Sequence, residues 1–244
     1  MGLLIAIEGI DGAGKTTQVG LLGEALKAAG EAVVLSKEPT DGPWGQRIRQ
    51  SAQTGRLPLE QELEAFVEDR KEHIEHTVQP ALADKKIVVL DRYFYSTVAY
   101  QGARGADRVE LLDRMKSFAP VPDLVLLLDV EPVLAVARIA NGRRDIPNEF
   151  EKADELTAVR GVFEWLADTE ENVCRLDGQQ AIANVHRDIL EALITGPFKR
   201  YQAKPYDCDC FYCSEGATDS CRWFSLQGTL RSRVRQQQAS CAPQ

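Results

Sequence analysis

Eight consecutive residues carry the clearest chemical instruction in this chain. Gly9, Ile10, Asp11, Gly12, Ala13, Gly14, Lys15 and Thr16 read G-x-x-x-x-G-K-T, and Thr17 follows. A loop of this kind wraps a polyphosphate with inward-facing backbone N–H groups, and glycine permits the close approach and unusual dihedrals. A helix starting near Lys15 adds the positive end of its dipole. Lys15 would reach the β- and γ-phosphates, and the Thr16 hydroxyl would bind magnesium. A plain glycine turn is the competing reading; the loop length, the Lys-Thr ending and the flanks all disfavour it.

Further groups have the right types for chemistry. Asp91-Arg92-Tyr93 ends an apolar run. Ligands of open α/β sheets bind at such carboxyl ends, where Asp91 would hold magnesium beside Thr16 and Arg92 would grip a phosphate. An Asp–Arg pair that merely caps the strand is the alternative. Phe66 and Arg70 are four apart, so they share a helix face and suit a flat base, although a lone phenylalanine is more often core. Tyr95, Tyr100 and Gln101 follow Asp91-Arg92. Arg143-Arg144 stands in a polar stretch, 141–148, and reads either as a solvated basic loop or as a mobile lid that brings arginine to a transferring phosphoryl group. Cys208, Cys210, Cys213 and Cys221 offer four thiols within fourteen residues, a candidate zinc set of irregular spacing; a reduced disordered tail or an iron–sulfur site are the alternatives.

These groups need a frame. Apolar runs at 3–7, 32–36, 86–90, 123–129 and 172–176 read as strands, and helical periods lie at 46–52, 57–83, 95–101, 107–118, 132–140, 151–168 and 179–194. Residues 37–43 read as a loop, broken by Pro39, Gly42 and Pro43. The alternation predicts an α/β, three-layer P-loop NTPase fold: a five-stranded parallel sheet with helices on both faces and a short lid. Residues 1–195 form this domain. Residues 196–244 form a cysteine-rich extension, partly disordered or metal-binding, with 231–244 expected to lack order.

The 244 residues carry a net charge of −8, which argues against strong nucleic-acid binding. The charge is uneven, with seven Lys/Arg against four Asp/Glu from Gly196 onward. No apolar run reaches membrane-spanning length and no secretory signal is apparent, so a cytoplasmic location and the absence of a membrane partner are expected.

Taken together, residues 3–194 resemble the thymidylate (dTMP) kinase family. The resemblance rests on Ile7 through Gln18, Glu38-Pro39, Phe66 through His73 with Asp69-Arg70, Asp91-Arg92-Tyr93, Tyr100-Gln101-Gly102 and Pro122 through Val125. It implies transfer of the γ-phosphoryl group of ATP, with Mg2+, to dTMP, and a homodimer. It implies that Asp11 binds the acceptor sugar, that Phe66 stacks on thymine and that Arg70 donates to a thymine carbonyl. Arg92 would hold the acceptor phosphate, aided by Arg49 or, less suitably, Arg47. Thr97 and Gln101 would approach the base edge, and Tyr100 would disfavour a ribose. In one branch an arginine follows the loop aspartate; Gly12 stands there, so Arg143 and Arg144 would supply the catalytic cation. Thr40-Asp41 replaces the usual Gly-Gly, and Glu149 stands where an arginine is usual after the lid. A kinase for another nucleoside monophosphate, or a nucleotide-binding regulator that has lost turnover, are the competing functions.

Overall fold

A computed structural model of the chain describes residues 2–142, 153–196, 228–232 and 234. The five apolar runs form β1 (Leu3–Glu8), β2 (Val33–Lys37), β3 (Ile87–Asp91), β4 (Leu124–Asp129) and β5 (Val173–Asp177). All pair in parallel, in the order β2-β3-β1-β4-β5. Composition explains the order. β1, β3 and β4 are nearly unbroken Leu/Ile/Val runs and are buried, so they take the middle. β2 and β5 mix half-buried and exposed positions, with Lys37 and Arg175 outward, and take the edges. The register sets Ile7 opposite Asp91, so the glycine loop after β1 and Arg92 after β3 leave the sheet side by side.

The helices are α1 (Lys15–Ala28), α2 (Pro43–Thr54), α3 (Leu59–His73), α4 (Gln79–Ala83), α5 (Phe94–Gly102), α6 (Arg108–Lys116), α7 (Pro132–Gly142), α8 (Ala153–Thr169) and α9 (Ile182–Thr195). α1 packs on α9, while α5 packs on α3, α6 and α8. Ile74–Val78 forms a π turn that joins α3 to α4. Pro80 lies just beyond it and lacks the N–H that would continue the regular ladder. None of the described helices is long and apolar enough to cross a membrane.

Two expectations need correction. Pro43, expected to break a loop, instead opens α2. At a first helical position its missing N–H costs nothing and its fixed φ suits the helix. The extension is not without order from residue 231: residues 228–232 and 234 are helical. Leu230 is fully buried, Val234 nearly so, and both belong to the core cluster. Their spacing of four suits one helix face, and burying two apolar side chains favours order in this segment. Arg143, Arg144 and the cysteines at 208, 210, 213 and 221 lie outside the described residues.

Candidate active site

A cleft of about 1150 Å³ runs along the carboxyl ends of the strands. Its middle is the glycine loop. Gly12 has φ +80, and a Cβ there would stand 2.3 Å from the Ala135 carbonyl oxygen of α7. No side chain fits, so an arginine at this position is excluded by the close approach of α7. Lys15 curls over its own loop: Nζ donates to the carbonyls of Gly9 (3.0 Å) and Ile10 (2.8 Å). Burial, and then the neighbouring Arg92, push its ammonium down to about 8, against the pull of Asp11, Asp91 and Glu8. Asp11, Gly12, Ala13, Gly14, Lys15, Thr16 and Thr17 face the cleft, whereas Gly9 and Ile10 lie beneath it.

Thr16 Oγ1 donates to Asp91 Oδ2 at 2.5 Å. Two hard oxygen donors thus stand together at the loop mouth, a donor set that fits magnesium. Next in the chain, Arg92 takes φ +69, a left-handed conformation that costs a non-glycine residue about 1–3 kcal/mol. Its Nη2 donates to Asp11 Oδ1 at 2.5 Å and its Nη1 to Ser96 Oγ at 3.0 Å. The Tyr100 hydroxyl accepts from the Asp11 N–H (3.1 Å) and donates to Asp11 Oδ2 (3.0 Å). Burial alone would raise the Asp11 carboxyl, but Arg92, Lys15 and Tyr100 outweigh it and hold it below the usual carboxylate range. Glu8, fully buried just before the loop, is different: burial pushes its carboxyl up to about 7, although Ser96, Arg92, the Tyr93 N–H and Lys15 oppose the rise.

One end of the cleft carries Phe66, half-buried in the wall, and Arg70, only 1% exposed. Arg70 Nε and Nη2 both donate to Glu38 Oε2, at 2.9 and 2.6 Å, and Nη2 also donates to Thr97 Oγ1 at 3.0 Å. Glu38 Oε1 meets His73 Nδ1 at 3.0 Å, and His73 Nε2 meets Ser36 Oγ at 2.8 Å. A buried chain from β2 through α3 to α5 therefore holds the guanidinium. The peptide bond Glu38-Pro39 is cis. Beyond it, Thr40 is tied by its N–H and hydroxyl to Asp69, at 2.8 and 2.6 Å. Arg49 closes the turn, donating to the carbonyls of Pro39 (3.0 Å) and Thr40 (2.6 Å) while facing the cleft. Arg47 instead lies outward over the Trp44 ring, 5.6 Å from its centroid, which favours Arg49 of the two candidates.

At the opposite end, Arg138 of α7 donates to the Gly178 carbonyl at 2.9 Å, and Ile139, Gln180 and Ile182 complete the wall. The sequence reading missed this end. Its signal was an arginine on the helix that leads to Arg143-Arg144. It also missed Glu8, Ser96 and His73, whose partners are distant in sequence. Gln101 lies one turn beyond Thr97 on the same side of α5. It is fully buried, and neither of its amide atoms has a hydrogen-bond partner among the described residues. No His, Cys, Asp or Glu cluster with a metal-holding arrangement occurs among the described residues.

The thymidylate kinase family model matches residues 7–189. A thymidylate kinase of Xanthomonas euvesicatoria pv. vesicatoria is 52% identical over 194 residues, covering 79% of this chain and 85% of that protein. A thymidylate kinase of Xanthomonas oryzae pv. oryzae is 51% identical over the same coverage. One from Xylella fastidiosa is 49% identical over 162 residues, 66% of this chain and 74% of that protein.

Proposed function

The chain belongs to the thymidylate kinase family, and from that premise we propose how its cleft transfers the γ-phosphoryl group of ATP to dTMP, giving dTDP and ADP. The enzyme is an ATP-dependent nucleoside monophosphate kinase. The observation that carries the assignment of roles is the order of groups along one cleft. A base-sized end with a locked arginine leads to a phosphate cradle and then to a second apolar end. Phosphoryl transfer asks little covalent chemistry of a protein; positioning and charge neutralisation supply most of the rate.

The donor base would lie at Arg138, Ile139 and Ile182, with the triphosphate in the glycine loop. Lys15 would exchange its two carbonyl partners for phosphate oxygens. Magnesium, held at Thr16 and Asp91, would neutralise charge on the donor phosphates. Thymine would stack on Phe66. Arg70 Nη1, which otherwise meets only the weak acceptor Met115 Sδ at 3.1 Å, is the arm left for a thymine carbonyl. Thr97 would meet the base edge, and Asp11 the sugar hydroxyl. Arg92 and Arg49 would hold the acceptor phosphate. Tyr100, clamped to Asp11, would press on the 2′ position, where a hydroxyl would lose water without gaining a partner. Because α7 excludes a side chain at Gly12, the remaining cation would come from Arg143 and Arg144.

A coupled assay of ADP release, with dTMP present and absent, tests the reading. ADP release that depends on dTMP is expected. Release that ignores dTMP would favour the regulatory reading, and equal turnover with other monophosphates would favour a broader kinase.

Residues 1–195 are proposed as the catalytic domain and 196–244 as an extension. Its four closely spaced cysteines support a structural zinc site, and metal analysis showing less than a tenth of an equivalent would remove it. A cytoplasmic homodimer is proposed from the family resemblance, and light scattering tests the dimer.

A further inference from the structure

The phosphate-gripping arginine is held by groups that no role above uses. Glu8, the last residue of β1, is completely buried. Its Oε1 accepts from the N–H groups of Tyr93 (2.8 Å) and Ser96 (3.2 Å), at the start of α5. Its Oε2 accepts from the Ser96 hydroxyl at 2.5 Å. A serine hydroxyl can donate and accept, and which neighbour gets which is ordinarily free. Here the carboxylate takes the proton, so the lone pairs of Ser96 Oγ are left for Arg92 Nη1 at 3.0 Å.

We propose that Glu8 and Ser96 are positioning residues for Arg92: the carboxylate fixes the Ser96 hydroxyl as an acceptor, and the hydroxyl holds one arm of the guanidinium so that the fork faces the acceptor phosphate. This rests on the reading that Arg92 grips that phosphate. The left-handed backbone of Arg92 sharpens the need. A residue held in a costly conformation stays there only if its surroundings fix it. The polarity argument also makes Glu8→Gln informative. Its amide nitrogen cannot sit at the Oε1 position, where two backbone N–H groups already point. It must sit at Oε2 and donate to Ser96, which reverses the hydroxyl and removes the negative charge.

The test is steady-state kinetics on Ser96→Ala, Ser96→Thr, Glu8→Gln and Arg92→Ala, with dTMP and ATP varied in turn. Ser96→Ala keeps the backbone bonds to Glu8 and removes only the relay. It is expected to raise the KM for dTMP about tenfold and that for ATP less than twofold, as loss of a hydrogen bond to a charged group implies. Ser96→Thr keeps the hydroxyl and should restore dTMP KM to within about threefold. Glu8→Gln should follow Ser96→Ala. In the Arg92→Ala background, Ser96→Ala should add nothing; additive losses would mean that Ser96 touches substrate itself and would overturn the relay. A dTMP KM unchanged in Ser96→Ala, or equal rises for both substrates, would overturn the positioning role while leaving Arg92 in place. If Arg92→Ala leaves the dTMP KM unchanged, the assignment of Arg92 fails and the relay with it.

Discussion

The two ends of the proposed acceptor pocket treat charge in opposite ways. At the phosphate end, cations have partners that can be exchanged. Lys15 rests on two loop carbonyls, and Arg92 rests on Asp11 at the open cleft. At the base end, Arg70 is neutralised for good by Glu38, with side chains 1% and 4% exposed. The difference matches the proposed ligand. A phosphate is anionic and needs net positive charge, so its cations must carry donors that a phosphate can claim from their present partners. A thymine ring is neutral and needs a donor in a fixed place, and an unpaired guanidinium there would carry a desolvation cost that no neutral base could offset.

Substitutions can break that comparison. Lys15→Ala should lower phosphoryl transfer by about a thousandfold or more, because it removes a charge that acts on the migrating group. Thermal melting should stay within about 2 °C of the parent, since the lysine bonds only loop carbonyls. A large drop in melting temperature would place Lys15 in the scaffold. Glu38→Gln should behave in the reverse sense. Leaving Arg70 as a buried unpaired charge should cost about 3–5 kcal/mol of stability in denaturant unfolding. The KM for dTMP should rise about tenfold with little change for ATP.

Glu8 sharpens the contrast, since its bonds go to Tyr93 and Ser96 rather than directly to a cation. Its carboxyl is pushed from 4.5 up to about 7 in the native protein. Between those values the folded state holds a proton that the unfolded chain has released. Stability therefore falls as pH rises through this window and levels off above it. Unfolding at pH 5 and pH 8 should show Glu8→Gln gaining about 2–3 kcal/mol relative to the parent, and a constant difference would refute the buried titration. The smallest effect is salt. Raising ionic strength from about 0.05 to 0.5 M should weaken dTMP binding several-fold and thymidine binding hardly at all, by calorimetry. Equal losses would mean that the base end is also driven by net charge.

What the sequence disclosed follows the distance between partners. The glycine loop is contiguous, and its strand and helix flank it, so Lys15, Thr16 and the loop were readable from one short stretch. The strand runs were equally legible, because burial on both faces demands uninterrupted apolar residues at β1, β3 and β4. Arg70 was legible as a candidate, but its lock was not: Glu38 lies 32 residues away and Ser36 meets His73 across 37. Thr40 was legible only as standing where the resemblance leads one to expect glycine; that its hydroxyl donates to Asp69, 29 residues away, was not.

Leu230 and Val234 have a consequence for how this protein is made. A chain is synthesised from its N-terminus, and domains begin to fold as they emerge. All five strands precede residue 178, so the sheet can close before Leu230 has been added. Until Leu230 arrives, the part of the core cluster that it joins lacks one of its buried members. Placing Leu230 is thus a late step that closes this part of the core.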